Sequence, residues 1–160
     1  MKMNSVEETQ KVAATLASII QPGDTLLLNG DLGAGKTTFT QGFARSLGMK
    51  RPLKSPTFTL VREYQTANFQ LNHLDVYRLG EEGGAEDLGL NEYFNPNSVT
   101  IVEWSEFIAE DLPQDFLRIE LTRIEHDIAD TQRQIDIQAQ GPISHQRLQE
   151  LENLLDGTIY

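Results

Sequence analysis

The chain has 160 residues, a formal net charge of −11 and a hydrophobic fraction of 39%. That length suits one compact domain rather than two. The absence of cysteine excludes disulfides, thiolate metal sites and cysteine nucleophiles. The charge argues against a broad basic surface that follows a nucleic-acid backbone. Residues 49–54, with Arg62 and Arg78, could form a local basic patch, although bases around a bound anion or on a solvated loop are the simpler interpretation.

The N-terminal residues carry no apolar signal core. Met-Lys-Met-Asn-Ser leads into an acidic stretch, and no run of about 18 apolar residues occurs in the sequence. We therefore expect a cytoplasmic protein that does not enter a membrane.

The first elements in chain order are a helix and a strand. Ser5 and Glu8 have the spacing of a helix N-cap and its reciprocal acid. The apolar residues that follow recur at helical spacing: Val12, Leu16, Ile19 and Ile20. This pattern predicts a helix over residues 6–20. A turn at residues 22–24 follows, and the apolar run at residues 25–29 predicts a buried strand.

Residues 30–37, Gly-Asp-Leu-Gly-Ala-Gly-Lys-Thr, fit the G-x-x-x-x-G-K-S/T pattern of a phosphate-binding loop. Its glycines let the backbone turn sharply, so that amide N–H groups can point at phosphate oxygens. Lys36 supplies positive charge for the β- and γ-phosphates, and the Thr37 hydroxyl suits Mg²⁺. Helical spacing from Phe39 to Leu47, with Gly48 as a stop, predicts that a helix starts at the loop. The order of strand, loop and helix predicts a nucleotide site.

The rest of the chain predicts more strands and one more helix. Strand patterns occupy five segments: residues 57–61, 68–75, 99–102, 116–122 and 133–138. Gly141-Pro142 ends the last of them, and residues 144–155 predict a short amphipathic helix. No repeat or linker divides the sequence. We therefore expect a single α/β domain over residues 1–160, with residues 144–160 as a helical tail.

A phosphate loop needs an acidic partner at the carboxyl end of a neighbouring strand. Glu103 follows the β-branched run at residues 99–102, and Asp75 follows the apolar segment at residues 71–74. Either acid could bind Mg²⁺ through water or orient the attacking water, and a helix cap or a surface acid is the alternative for each. The sequence lacks the Asn-Lys-x-Asp segment that gives GTPases their guanine specificity. ATP is therefore the expected nucleotide.

Other polar and aromatic positions allow two interpretations each. Ser55 and Thr57 could sense the γ-phosphate as switch segments do, or form a turn stiffened by proline. Arg78 could steady γ-phosphate charge or pair with a nearby acid. Trp104, the only tryptophan, belongs either to the core or to the nucleotide site. His73 is more simply a packed, hydrogen-bonded residue than a ligand.

Four motifs occur in order along the chain. They are Gly30-Asp31-Leu32-Gly33-Ala34-Gly35-Lys36-Thr37-Thr38, Ser55-Pro56-Thr57-Phe58, His73-Leu74-Asp75-Val76-Tyr77-Arg78 and Val102-Glu103-Trp104-Ser105-Glu106. Together they resemble the TsaE (YjeE) family, small bacterial ATPases of tRNA threonylcarbamoyladenosine biosynthesis, and the match runs from Ser5 to Gly141. The resemblance implies a P-loop NTPase-like three-layer fold, whose central mixed sheet has antiparallel strands added at its C-terminal end.

The resemblance also implies an activity and partners. The protein would bind and slowly hydrolyse ATP with Mg²⁺, and it would work with the TsaB and TsaD proteins. That pair transfers a threonylcarbamoyl group to adenosine 37 of tRNAs reading ANN codons, so contact with tRNA would be indirect. The ATP cycle would reset the complex between turnovers.

Residue roles follow from the resemblance by position. It implies that Lys36 and Thr37 hold phosphates and Mg²⁺. It also implies that Glu103 is the second acid on the Mg²⁺ side, and that Asp75 is needed for hydrolysis. The other implied ATP contacts are Thr9, Gly33, Ala34, Gly35, Thr38, Trp104 and Arg133. Two of these, Thr9 and Arg133, would lie at the base end of ATP.

Two other functions stay open. A small-molecule kinase would share the glycine loop, but it would need a lid with several arginines, and residues 80–95 contain none. A nucleotide-dependent adaptor would bind ATP and hydrolyse it only incidentally. The three functions differ in where the phosphoryl group goes and in whether hydrolysis is required.

Overall fold

The structure, a computed structural model, describes residues 1–31, 33–49, 61–77, 79, 89–125 and 128–156. The predicted site residues Ser55, Thr57 and Arg78 lie outside these residues. The predicted strand at 57–61 also lies outside them, except for Val61, which begins a strand.

The described residues form one seven-stranded mixed sheet with the order β1-β7-β6-β2-β5-β4-β3. Its strands are β1 (Lys2–Met3), β2 (Thr25–Gly30), β3 (Val61–Gln65), β4 (Gln70–Asp75), β5 (Ser98–Glu103), β6 (Phe116–Arg123) and β7 (Arg133–Gln140). The four central strands β4, β5, β2 and β6 are parallel to one another. β7 and β1 extend one edge in antiparallel fashion, and β3 extends the other. The predicted α/β class with a mixed sheet is confirmed.

Three α-helices lie in the described part of the chain: α1 (Val6–Ile19), α2 (Lys36–Ser46) and α3 (Pro142–Asp156). α1 begins as predicted, because the Ser5 hydroxyl accepts a hydrogen bond from the Glu8 amide at 3.1 Å. It ends one residue earlier than predicted, since Ile20 is extended. None of the described helices is long and apolar enough to cross a membrane.

The core lies on both faces of the sheet. The alternate β2 residues Leu26 and Leu28 point to the face that the three α-helices cover. Leu27 points to the opposite face, where two 3₁₀ helices, Leu90–Tyr93 and Ser105–Asp111, pack against it. Burial of both faces explains the continuous apolar run of β2, which is typical of a parallel strand.

Asp115 holds the first turn of α3. Its carboxylate accepts hydrogen bonds from the backbone amides of Ile143 and Ser144, each at 2.9 Å, and a further one from the Ser144 hydroxyl. This cap and the fixed φ of Pro142 explain why α3 begins at Pro142, two residues before the prediction.

Removing this cap should weaken the attachment of α3. We expect Asp115→Ala to lower the free energy of unfolding by about 1–2 kcal/mol, because two helix-end amides lose their acceptor. Urea unfolding followed by circular dichroism measures the change. Gln149→Ala, at an exposed position of the same helix, is the control and should change stability by less than about 0.5 kcal/mol. Equal stability of Asp115→Ala and the wild type would contradict the capping role.

Candidate functional site

The glycine loop connects the end of β2 to the start of α2. Gly33 and Gly35 have φ angles of 81° and 107°, which side-chain-bearing residues rarely adopt. Gly30 is needed for a different reason, since a Cβ atom there would lie 2.7 Å from the carbonyl oxygen of Leu121. The backbone at Gly35 then leads directly into the N-terminus of α2, which has no side-chain cap. These features leave helix-end amides and a positive dipole end for an anion.

Lys36 lies between an acid and an aromatic ring. Its Nζ is 3.9 Å from Glu103 Oε1 and 4.4 Å from the centroid of the Trp104 ring. The second carboxylate oxygen of Glu103 is 2.7 Å from His73 Nε2. All three charged or polar side chains are at most 13% exposed. Glu103 therefore links the lysine of the loop to a buried histidine on β4, which gives His73 the hydrogen-bonded, packed position predicted for it.

The register of the sheet brings Asp75 beside Glu103. The two residues are paired at the carboxyl ends of the parallel strands β4 and β5. β5 in turn lies against β2, which leads into the glycine loop. The predicted acids therefore meet at one edge of the sheet, beside the loop, as the rule for parallel sheets requires.

The surroundings of Asp75 act on the pKa of its carboxyl group in both directions, with a net rise. Burial raises the pKa of Asp75, and the negative charge of Glu103 adds to the rise. The Tyr77 amide, which donates to Asp75 Oδ1 at 3.1 Å, acts in the opposite direction, as do the charges of Lys36 and His73. A half-buried carboxyl group with a raised pKa is typical of a group that takes part in proton transfer.

Trp104 lies at the site and not in the deep core. It has a φ of 64°, an uncommon value for a residue with a side chain. Its ring stacks on Phe107 with a centroid distance of 6.1 Å and an interplanar angle of 8°. The centroid of the Tyr77 ring is 4.9 Å from that of Trp104. Phe107 and Tyr77 are 38% and 40% exposed. Trp104 thus joins Lys36 to an aromatic cluster formed with Tyr77 and Phe107.

A pocket of about 280 Å³ lies on this side of the loop. Its lining residues are Asn29, Gly30, Asp31, Lys36, Trp104, Glu106 and Glu120. The pocket therefore joins the loop, its lysine and the tryptophan in one concave surface.

The remaining predicted contacts occupy different places. Thr37 is exposed in the first turn of α2, and Thr38 is half-buried behind it. Thr9 is 1% exposed in α1, and its hydroxyl finds no hydrogen-bond partner in the part of the chain that is described. Arg133 at the start of β7 lies against the glycine loop, and its guanidinium donates to the carbonyl oxygens of Gly33 and Ala34. Direct contact of Thr9, Thr38 and Arg133 with ATP stays a prediction.

The side chains near the glycine loop could hold Mg²⁺ only together with a nucleotide. Within the described ranges, no group of three or more histidine, cysteine and carboxylate side chains could hold a metal ion by itself. Mg²⁺ is commonly bound by one or two protein oxygens plus substrate phosphates and water. The Thr37 hydroxyl and the Glu103 carboxylate stay the predicted protein ligands of Mg²⁺, and the carboxylates of Asp31, Glu106 and Glu120 also line the pocket.

Sequence reasoning missed the neighbours of the loop on the β6–β7 hairpin. Arg123 forms a bidentate ion pair with Asp130, at 3.1 Å and 2.7 Å, and Asp130 also accepts from Arg133.

The sequence reasoning placed Arg62 only in a basic patch. In the structure Arg62, on β3, lies directly opposite His73, and its Nε is buried without a hydrogen-bond partner among the described residues. Charged residues in alternating strand segments give no local signal for such pairings.

The order and geometry of these motifs agree with a comparison of the sequence with known families. The family model of the threonylcarbamoyl adenosine biosynthesis protein TsaE matches residues 3–135. The chain belongs to the TsaE family. The matched range contains the glycine loop, Asp75, Glu103 and Trp104, and it ends just after Arg133. The resemblance inferred from the four motifs is confirmed.

Individual TsaE proteins are similar over most of their length. The chain is 49% identical over 135 residues to the tRNA threonylcarbamoyladenosine biosynthesis protein TsaE of Bacillus subtilis, covering 84% of this chain and 82% of that protein. It is 42% identical over 113 residues to the Haemophilus influenzae TsaE, covering 71% and 68%. The crystal structure of Bacillus subtilis YdiB superposes with a TM-score of 0.81 at 40% identity, covering 96% of this chain and 93% of YdiB.

Proposed function

We propose that this TsaE-family protein is a Mg²⁺-dependent ATPase. In this proposal it drives the TsaB–TsaD pair through cycles of threonylcarbamoyladenosine modification of tRNAs reading ANN codons. The observation that carries the proposal is the convergence of Lys36, Asp75 and Glu103 at the end of the glycine loop. Family membership supports the link to tRNA modification, and the cytoplasm is the expected compartment for it.

The glycine loop and Lys36 are the proposed phosphate-binding groups. The amides of residues 33–37 and the N-terminus of α2 offer donors to the phosphates, and Lys36 offers charge to the β- and γ-phosphates. Thr37 and Glu103 are the proposed oxygen ligands of Mg²⁺, which when bound neutralises charge on the phosphates. The hydrogen bond from His73 to Glu103 holds that carboxylate in position.

Asp75 is the proposed base or water-orienting group. It lies beside Glu103 without an ion-pair partner of its own in the described part of the chain, so its carboxylate can accept a proton from water. The raised pKa of Asp75 is closer to neutral pH than the ordinary pKa of an aspartate. A general base works best when its pKa lies near the working pH. The alternative distribution of roles, with Glu103 acting on water, conflicts with the contacts of Glu103 to both Lys36 and His73.

Partner proteins are expected to handle the tRNA. A net charge of −11 makes a poor independent binder of a phosphate backbone but suits association with a basic complex. We infer that the protein does not transfer the threonylcarbamoyl group and that its ATPase is slow when alone.

The rate of ATP hydrolysis, alone and with purified TsaB plus TsaD, tests this proposal. We expect slow hydrolysis alone and at least about tenfold stimulation by the pair, because the isolated site has few catalytic groups. TsaB alone is the control and should not stimulate. Unchanged hydrolysis in the presence of the pair would contradict the partner-dependent function. Transfer of labelled phosphate from ATP to a metabolite, with none released to water, would indicate a kinase instead.

A further inference from the structure

The guanidinium of Arg133 hydrogen-bonds to two backbone carbonyls of the glycine loop. Its Nε donates to the carbonyl oxygen of Ala34 at 3.0 Å, and its Nη2 donates to the carbonyl oxygen of Gly33, also at 3.0 Å. The guanidinium is a rigid planar fork, so two consecutive carbonyls held by it have a fixed relative orientation. The side chain is 13% exposed, and the hydrogen bond to Ala34 is partly buried, whereas the one to Gly33 is open to water.

Holding the carbonyls also orients the amides. In a trans peptide unit the C=O and the N–H point in opposite directions. The Gly35 amide shares a unit with the Ala34 carbonyl, so it points away from Arg133. The Ala34 amide, which shares a unit with the Gly33 carbonyl, donates to the Asp31 carbonyl oxygen at 3.0 Å and closes the turn. One side chain therefore sets two peptide planes of a segment whose glycines would otherwise leave it free.

The hairpin itself holds Arg133 in place. Nη1 of Arg133 donates to the backbone carbonyl oxygens of Gln132 at 2.8 Å and Asp130 at 3.0 Å. The Asp130 carboxylate adds a contact at 3.3 Å and is fixed in turn by Arg123. All three guanidinium nitrogens of Arg133 thus donate within the protein, which leaves little donor capacity for a ligand.

We propose that Arg133 is a positioning residue that holds residues 33–35 in the shape that binds phosphate, and that it acts on the nucleotide through the loop and not through a hydrogen bond to the base. The role rests on the proposed ATPase function only in its effect on affinity, because the held loop is a property of the nucleotide-free protein. Ordering the loop in advance lowers the entropic cost of binding any nucleoside triphosphate. A hydrogen bond from Arg133 to the base would instead affect ATP and GTP differently, because adenine and guanine present different donors and acceptors at their edges.

Arg133→Met tests the proposal, because methionine keeps an apolar stem of similar length and removes the fork. Hydrogen exchange by NMR in the nucleotide-free protein is the first measurement. We expect the Ala34 amide to exchange at least about tenfold faster, since the carbonyl of its own peptide unit is released. Arg133→Lys, which keeps the charge but cannot span both carbonyls, should give an intermediate rate. Arg45→Met, which removes a guanidinium at an exposed position in the last turn of α2, is the matched control and should leave Ala34 within about twofold of wild type.

Binding of ATP and GTP is the second measurement. The affinities for ATP and GTP should both fall by about tenfold in Arg133→Met, with their ratio unchanged. A changed ratio with wild-type exchange at Ala34 would show a base contact and overturn the proposal. Faster exchange throughout the sheet, with a matching loss of thermal stability, would show a general structural role and also overturn it. If the wild type bound no nucleotide, the ATPase proposal would fail, while exchange at Ala34 would still decide whether Arg133 holds the loop.

Discussion

Replacing Lys36 with alanine should reduce ATP hydrolysis at least about a hundredfold, in the presence or absence of TsaB and TsaD. Lys36 is the lysine of the loop motif, and its Nζ lies 4.4 Å from the centroid of the Trp104 ring and 3.9 Å from Glu103 Oε1. Its removal takes away the positive charge that stabilises the transferred phosphoryl group. Phosphate release from ATP, measured at saturating nucleotide, gives the size of the effect.

The control for Lys36→Ala is Lys11→Ala, at an exposed position of α1. This variant removes the same charge from the molecule and should hydrolyse ATP at the wild-type rate. The Lys36 variant should still fold, because Glu103 keeps its hydrogen bond to His73, and thermal unfolding can verify this. Wild-type turnover by a folded Lys36→Ala variant would rule out the proposed phosphate site.

Replacing Asp75 with alanine should separate ATP binding from hydrolysis. We expect hydrolysis to fall about a hundredfold or more, as is usual when a general base is lost. ATP affinity should stay within about threefold, since Asp75 is not among the proposed phosphate contacts. Hydrolysis assays and direct nucleotide titration together measure this difference. Loss of affinity with normal turnover at saturation would contradict the role given to Asp75.

The same variant distinguishes an ATPase cycle from an adaptor. Asp75→Ala should fail to support repeated rounds of tRNA modification by TsaB and TsaD. If hydrolysis were incidental, the variant would support modification at the wild-type rate. The control is Glu7→Ala, an exposed acid in the first turn of α1, which should behave as wild type in the same assay.

The ionised carboxylate of Asp75 should also lower the free energy of unfolding at neutral pH, compared with a protein that lacks this charge. Burial raises the pKa of Asp75 above its unfolded value, so the folded state binds the proton more tightly than the unfolded state. Stability therefore decreases as the pH rises from the unfolded pKa through the folded one. Asp75→Asn removes this titration, and it should be at least as stable as wild type at neutral pH while it hydrolyses ATP poorly. Urea unfolding at several pH values tests the sign.

Elements with a strong local signal could be predicted from the sequence. Ser5 and Glu8 marked the start of α1, and the glycine loop marked the junction of β2 and α2. Elements that depend on pairing with a distant strand could not be predicted in this way. β1 has two residues and exists because β7 provides its hydrogen bonds. The resemblance implies antiparallel strands at the C-terminal end, and β6 does pair with β7 in this way, but β6 also lies parallel to β2, and no local pattern in the sequence indicates that second pairing.

The sequence by itself predicted the residues of the candidate site. Residues 30–37 fit a phosphate-loop pattern, and Asp75 and Glu103 follow apolar strands, which are local patterns that a short segment can show. Tertiary structure alone decided how these groups work together. The pairing of β4 with β5 brings Asp75 beside Glu103, and the antiparallel β7 brings Arg133 to the loop about 100 residues earlier in the chain. Hydrogen bonds between such distant residues depend on sheet order and register, which long-range packing selects and which no short segment encodes.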